Sequence, residues 1–211
     1  DAALCGGADA QLEELYFTTY CGAGFLAGDD GRPGLVAGEG SGLLVLEEAE
    51  RARARGAAIH GEIVGVAAGA GDGRAAPEDD ASRLAQRLAR VIEAAIEEAG
   101  AFPDVVSLHG DGLPSHDEAE ALALERALGS RAARTPRLRM KALHADLGAA
   151  TSPVELLACS MALEHATLPP GASSIAPSSS ASFRDALVIS LGLFGECAAL
   201  MLRTSRNGHA D

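Results

Sequence analysis

His109 is the residue whose setting points most directly to chemistry. The apolar run Val105-Val106-Ser107-Leu108 ends at it, a turn containing Gly110, Gly112 and Pro114 follows, and an acid-led segment with Asp117, Glu118 and Glu120 comes next. That order predicts strand, loop and helix, and open α/β sheets place their chemistry beyond the carboxyl ends of the strands. An imidazole at such a point can move a proton or donate a hydrogen bond to negative charge developing on a bound group. Lys141 and His144, in Lys141-Ala142-Leu143-His144, are further titratable candidates. No trio of His, Cys and carboxylate shows metal-ligand spacing, so no metal is expected. His60, His116 and His165 read as ordinary helix, loop or strand-edge residues.

The elements that must hold these groups follow from periodicity. Residues 2–5 predict a short strand stopped by Gly6-Gly7, and residues 10–26 a short helix and a loop. In Gly34 to Glu48, three glycines (Gly38, Gly40, Gly42) precede the apolar run Leu43-Leu44-Val45-Leu46. This predicts a strand with backbone packed closely against it; a phosphate cradle would need a following Lys-Ser/Thr and a long helix. Residues 49–55 form a short basic helix ending at Gly56, residues 58–67 a strand, and residues 69–80 an acidic loop. Leu84, Leu88, Val91, Ile92, Ala95 and Ile96 repeat at helical spacing, so residues 81–99 are the clearest helix, closed by Gly100. A strand at 104–108, a helix ending at Gly129, and a short strand at 138–143 come next. The segment from Pro153 to Glu164 is apolar nearly all round and is expected to be buried on most sides. Residues 168–182 form a Pro/Ser-rich loop. Strands at 186–190 and 198–202 flank Gly192-Leu193-Phe194-Gly195. Strands alternating with helices, one of them sandwiched, predict a layered α/β fold with a mixed sheet. A boundary is expected near Gly56, dividing 1–56 from 57–205, with 206–211 a frayed tail.

Composition narrows the function. The 211 residues carry 17 basic and 30 acidic side chains, a formal charge of -13, which argues against nucleic acid or an anionic membrane as the main partner. Basic residues concentrate at Arg131, Arg134, Arg137 and Arg139. No apolar run approaches the length of a membrane span. Cys5, Cys21, Cys159 and Cys197 lack ligand spacing and read as free thiols in a reducing compartment, so a cytoplasmic location is expected. The opening Asp1-Ala2-Ala3-Leu4-Cys5-Gly6-Gly7 reads like a strand already inside a fold, as in a fragment or a processed product.

Four ordered motifs resemble the thiolase-fold β-ketoacyl-acyl-carrier-protein synthases of fatty-acid and polyketide assembly, in the part that follows their nucleophilic cysteine. Asp1 to Asp9 resembles a D-x-x-x-x-G-G-x-(D/E) stretch. Gly34-Leu35-Val36-Ala37-Gly38-Glu39-Gly40-Ser41-Gly42 through Glu47 is similar to G-(F/L)-V-x-G-E-G-(A/S)-G-x-(L/V)-V-L-E. His109 to Glu120 is similar to H-G-T-G-T-x-x-N-D-x-x-E, keeping His109, Gly110, Gly112, Asp117 and Glu120. Asp111 and Leu113 stand where that pattern has threonine, and His116 where it has asparagine. Lys141 to Ala150 resembles K-S-x-x-G-H-x-x-G-A-A with one residue fewer. Anchored on Gly148-Ala149-Ala150, it puts Ala145 at the second histidine; His144 takes that role with the gap placed later. Ser190 to Ala198 falls on S-F-G-F-G-G-T-N-A, with Leu191 at the gating phenylalanine and Glu196-Cys197 at Thr-Asn.

The resemblance implies a thiolase-like αβαβα fold, its C-terminal part built on a mixed five-stranded sheet. It implies His109, His144 and Lys141 as catalytic candidates, supported by Gly110, Gly112, Asp117 and Glu120. Asp117 or Glu120 would pair with the lysine, and Leu191, Gly192, Leu193, Phe194 and Gly195 would form the gating loop. No cysteine here is placed like the nucleophile, which would lie on an upstream half or a ketosynthase subunit. No tightly bound cofactor is implied; the acyl group would arrive on the phosphopantetheine of an acyl carrier protein, and a homo- or heterodimer is expected. Arg131 to Arg139 read either as a surface that meets such an acidic carrier or as an ordinary solvated basic face. Two functions follow. Loss of both threonines, the gate and the Thr-Asn pair points to a chain-length-factor-like, non-catalytic partner of an active ketosynthase. Retention of His109 and Lys141 points to the C-terminal portion of an active synthase, joining an acyl thioester to malonyl carrier protein by decarboxylative Claisen condensation.

Overall fold

The structure is a computed structural model and describes residues 1–71, 73, 80–173 and 183–205. Its elements are β1 (Ala2–Ala10), α1 (Glu14–Gly22), β2 (Glu39–Glu47), α2 (Ala49–Ala54), β3 (Glu62–Gly69), α3 (Ala81–Ala99), β4 (Val105–Ser107), α4 (Pro114–Leu128), β5 (Arg137–Leu138), α5 (Lys141–His144), α6 (Thr151–His165), β6 (Asp185–Leu191) and β7 (Cys197–Arg203). Strands β1 and β2 form an antiparallel pair, and the other five make a mixed sheet in the order β3-β7-β6-β4-β5. Within it β4 runs parallel to β5 and β6, while β7 is antiparallel to β6 and β3.

Helix α6 lies between the two sheets, touching β6 and β7 on one side and β1 and β2 on the other. Helices α3 and α4 pack together, and α3 covers β3 and β7 on the opposite face. The described layers are therefore helix, sheet, helix, sheet, in keeping with the layered α/β expectation. Being covered on both faces, β6 and β4 read as continuous runs, with Asp185 to Ile189, Leu191 and Val105 to Ser107 all buried. Helix α3 has the predicted bounds because both ends are chemically marked. The Asp80 carboxylate accepts the Ser82 N–H at 2.9 Å, and Gly100 adopts the left-handed conformation at φ 65°. Its apolar stripe is buried as the spacing required.

Three local readings are corrected. Gly6-Gly7 does not stop β1, which continues to Ala10. The glycines instead admit close neighbours, since a Cβ on Gly7 would lie 2.1 Å from the Ala149 carbonyl oxygen. The strand expected at 58–67 starts at Glu62 and runs to Gly69. The strand expected at 138–143 is only Arg137–Leu138, and the chain then turns into α5, which carries Lys141. Close backbone packing at Gly38, Gly40 and Gly42 is borne out, because added Cβ atoms would press on Ala145, Leu147, Pro153 and Val154. Most of the acidic loop 69–80, the Pro/Ser loop beyond Ser173 and the tail 206–211 lie outside the described residues.

Candidate functional site

Strand β4 ends at Ser107, and His109 follows two residues later, buried where β4, β6 and α4 converge. Glu120, one turn further along α4 than Asp117, accepts the backbone N–H of His109 at 2.5 Å and of Gly110 at 3.1 Å. These bonds hold the turn against the helix. Gly110 and Gly112 sit at φ 49° and 86°, and a side chain on Gly112 would approach the Gly34 carbonyl oxygen to 2.6 Å. Conformation favours glycine at both, and at Gly112 space requires it as well.

The imidazole is fixed from both edges. Lys141 Nζ donates to the His109 carbonyl at 2.5 Å, reaches Glu155 Oε1 at 3.2 Å and lies 3.2 Å from His109 Nδ1. The Leu191 N–H also faces Nδ1, at 3.3 Å. Two donors converge on Nδ1, so that nitrogen supplies its lone pair and the proton sits on Nε2. Nε2 is 3.2 Å from Asp111 Oδ2. The same oxygen is 2.7 Å from His116 Nδ1, a charge-assisted length. Asp111 Oδ1 accepts the Leu113 N–H at 3.0 Å. A buried row thus runs Glu155, Lys141, His109, Asp111, His116.

Burial pushes the His109 pKa down, the Lys141 ammonium adds to this, and Asp111 opposes it. His109 is therefore a neutral donor toward Asp111. Burial alone would raise Asp111, but the hydrogen bonds from His109 and His116 hold its carboxyl well below the usual carboxylate range. Burial lifts Glu155 to about 7 against the pull of Lys141. It lifts Glu120 to about 7 as well, against the two backbone N–H groups.

Several sequence-derived roles change. Lys141 pairs with Glu155, on α6, and not with Glu120 or Asp117; Asp117 instead meets Arg139 at 3.4 Å. His116, read as an ordinary residue, is 1% exposed and belongs to the row. Its pairing could have been suspected from Asp111 and His116 replacing two polar residues of one motif together. His60 is exposed against Glu164, and His165 is exposed at the end of α6, as expected of ordinary residues. Neither His144 nor Ala145 lines the cavity beside His109; Asp146 does. The His144 ring turns back onto the Ala145 carbonyl at 2.7 Å. Ala145 has φ 65° and ψ -174°, a conformation that favours glycine. In the gating loop Leu191 is buried, while Phe194 is about half exposed. The arginine run is divided: Arg131 stacks on Phe102, Arg137 binds the Ala132 carbonyl, and Arg139 faces Asp117.

The cavity has a volume of about 160 Å³ and is walled by His109, Asp111, Asp146, Gln11, Tyr16 and Tyr20, with Leu191 to Leu193 along one side. His109, Asp111 and His116 bring ligand atoms within 4.8 Å of one another, a grouping that spacing along the chain did not reveal. Coordination through His109 Nε2 would require the proton on Nδ1, which already faces two N–H donors. The geometry is that of a hydrogen-bonded triad.

The profile of the family described as beta-ketoacyl synthase, C-terminal domain, matches residues 60–174. A Streptomyces halstedii protein named as a polyketide beta-ketoacyl synthase is 39% identical over 68% of this chain and 34% of its own length. The 3-oxoacyl-[acyl-carrier-protein] synthase 2 of Synechocystis is 33% identical over 80% of this chain and 44% of its own. A second polyketide beta-ketoacyl synthase, from Streptomyces cyaneus, is 34% identical over 96% of this chain and 52% of its own. The chain belongs to the beta-ketoacyl synthase family. It spans between 34% and 52% of the length of these relatives. Among solved structures, a type II polyketide synthase acyl-carrier protein in complex with its ketosynthase bound to the hexaketide matches with a TM-score of 0.83 at 25% identity, covering 97% of this chain and 56% of that one. The ishigamide ketosynthase/chain length factor matches with a TM-score of 0.80 at 30% identity, covering 97% and 54%. The fold is therefore that of the thiolase-like ketosynthases, with its five-stranded mixed sheet.

Proposed function

We propose that this ketosynthase-like chain serves a fatty-acid or polyketide assembly system as a chain-length-factor-like, non-catalytic partner of an active ketosynthase. One observation carries the reading: the Asp111 carboxylate occupies Nε2 of His109 at 3.2 Å. In the family reaction an imidazole N–H must meet the enolate oxygen formed on decarboxylation. Here that N–H is already committed to an anion. A second negative charge brought within ~4 Å of the carboxylate would meet roughly 4 kcal/mol of repulsion at an effective dielectric near 20. Asp146 adds another carboxylate to the same cavity.

Association with a second polypeptide, or with an upstream half, is supported by the β1–β2 sheet. Leu4, Leu43 and Val45 lie on one face of it and are all exposed, an apolar patch of the kind that marks an interface. The substrate of the complex would be an acyl chain on the phosphopantetheine of an acyl carrier protein, the partner in the matching polyketide complex. The alternative is the C-terminal portion of an active synthase, and it rests on the intact His109–Lys141 contact. The discriminating experiment is intact-mass measurement of the full polypeptide after incubation with an acyl-carrier thioester, with and without candidate ketosynthase chains. An adduct only on the partner chain is expected. A stable adduct on this polypeptide, followed by turnover with malonyl carrier protein, overturns the reading in favour of the synthase.

A further inference from the structure

A second cavity opens at the other end of β4 from His109. It has a volume of about 500 Å³ and is lined by Phe102 and Asp104, just before the strand, and by Arg131, Arg134 and Thr135, after α4. That volume falls within the roughly 300–1,000 Å³ of small-molecule sites. The turn carrying the arginines is fixed on one acceptor. The Arg131 carbonyl takes the Arg134 N–H at 2.9 Å, the Thr135 N–H at 3.0 Å and the Thr135 hydroxyl at 3.0 Å. The Arg131 guanidinium lies over the Phe102 ring, 4.4 Å from its centroid. Stacking holds the group by its face and leaves its edge N–H donors for a ligand.

Elsewhere in this acidic chain arginines find carboxylates. Arg53 meets Glu62, Arg55 meets Glu47, Arg126 meets Glu93, Arg139 meets Asp117 and Arg203 meets Asp185. Arg131 and Arg134 form no ion pair among the described residues. Two guanidinium charges therefore share one concave surface without neutralisation, in a chain with 30 acidic side chains. Asp104, the carboxylate in the lining, is engaged by the backbone: its Oδ2 accepts the Arg184 N–H at 2.8 Å and the Asp185 N–H at 3.0 Å.

We infer that this cavity binds a small organic phosphate monoester, its phosphate received by Arg131 and Arg134 and its organic part by Phe102. The phosphate of a monoester presents strong acceptor oxygens and negative charge, and two guanidiniums answer both with forked, charge-assisted donors. Phe102 is 44% exposed, so its ring offers apolar surface beside the arginines that an inorganic anion would leave in water. The cavity and His109 sit at opposite ends of β4, and the inference is independent of whether the protein condenses acyl groups.

The test is calorimetric titration of the full polypeptide, at fixed ionic strength, with phenyl phosphate, inorganic phosphate and phenol. Saturable phenyl phosphate binding is expected, at least about threefold tighter than inorganic phosphate and at least about tenfold tighter than phenol. Arg131→Gln and Arg134→Gln change exposed side chains, so both variants should fold, and each should weaken phenyl phosphate at least about tenfold. Arg139→Gln, in the same arginine run but paired with Asp117, should leave the affinity unchanged. No saturable phenyl phosphate binding, inorganic phosphate or phenol binding as tightly, unchanged affinity in folded Arg131→Gln or Arg134→Gln, or an equal loss in Arg139→Gln would each overturn the inference. An acyl adduct on this polypeptide would overturn the partner role and leave this result standing.

Discussion

Asp111 and His116 should behave energetically as one unit. Asp111→Thr installs the residue of the family pattern but removes the oxygen that both imidazoles use, at 3.2 Å and 2.7 Å. It leaves the buried His116 Nδ1–H without its acceptor. Two hydrogen bonds to a charged group at about 1.5–3 kcal/mol each, or a buried pair broken from one side, give an expected loss of about 3–5 kcal/mol. His116→Asn withdraws one of the two donors from a carboxylate that is itself buried, an expected loss of about 2–3 kcal/mol. In the double variant the charge and its second partner leave together. The combined loss should then fall short of the sum by about 1.5–3 kcal/mol. Urea unfolding of the wild type, both single variants and the double variant, followed by circular dichroism, closes the cycle. Free energies that add to within about 0.5 kcal/mol would mean that Asp111 and His116 are not coupled, and the argument for a carboxylate locked onto His109 would fail with them.

Two further outcomes follow from particular contacts. Burial pushes the Glu155 carboxyl up to about 7, above the ordinary carboxylate range, so the folded state holds its proton more tightly than the unfolded chain does. Its stability contribution is fully present below about 4.5 and is lost as pH rises through 7, a swing of about 3 kcal/mol. Measured from pH 4 to 8, the stability of the wild type should fall by that amount relative to Glu155→Gln; a gap between the two that does not change with pH contradicts the buried, protonatable carboxyl. Gly7→Ala would drive a methyl to 2.1 Å from the Ala149 carbonyl, and should cost about 1–3 kcal/mol in urea unfolding. An unchanged midpoint would mean that β1 does not lie against the turn before α6.

Much of the architecture is written locally. The stripe from Leu84 to Ile96, Asp80 before it and Gly100 after it define α3 without outside help, because cap, period and stop agree. The paired strands around Gly192 to Gly195 and the mostly apolar helix from Pro153 were also legible, although Leu157 and Met161 remain exposed on that helix. The motif around His109 located the site and gave the positions of Gly110, Gly112 and Glu120. What the chain order concealed were meetings between distant residues. Lys141 finds Glu155, on a different helix, rather than the acids beside His109, because α6 delivers that carboxylate to the buried side of the lysine. A single missing residue between Lys141 and Gly148 cannot be placed by counting. The fold shows instead that Asp146, and neither His144 nor Ala145, stands on the wall of the cavity. By itself the sequence determined the layers, the family and the address of the site. Tertiary structure decided which nitrogen of His109 carries the proton, and that a carboxylate holds it, because proton placement depends on donors arriving from β6 and α5.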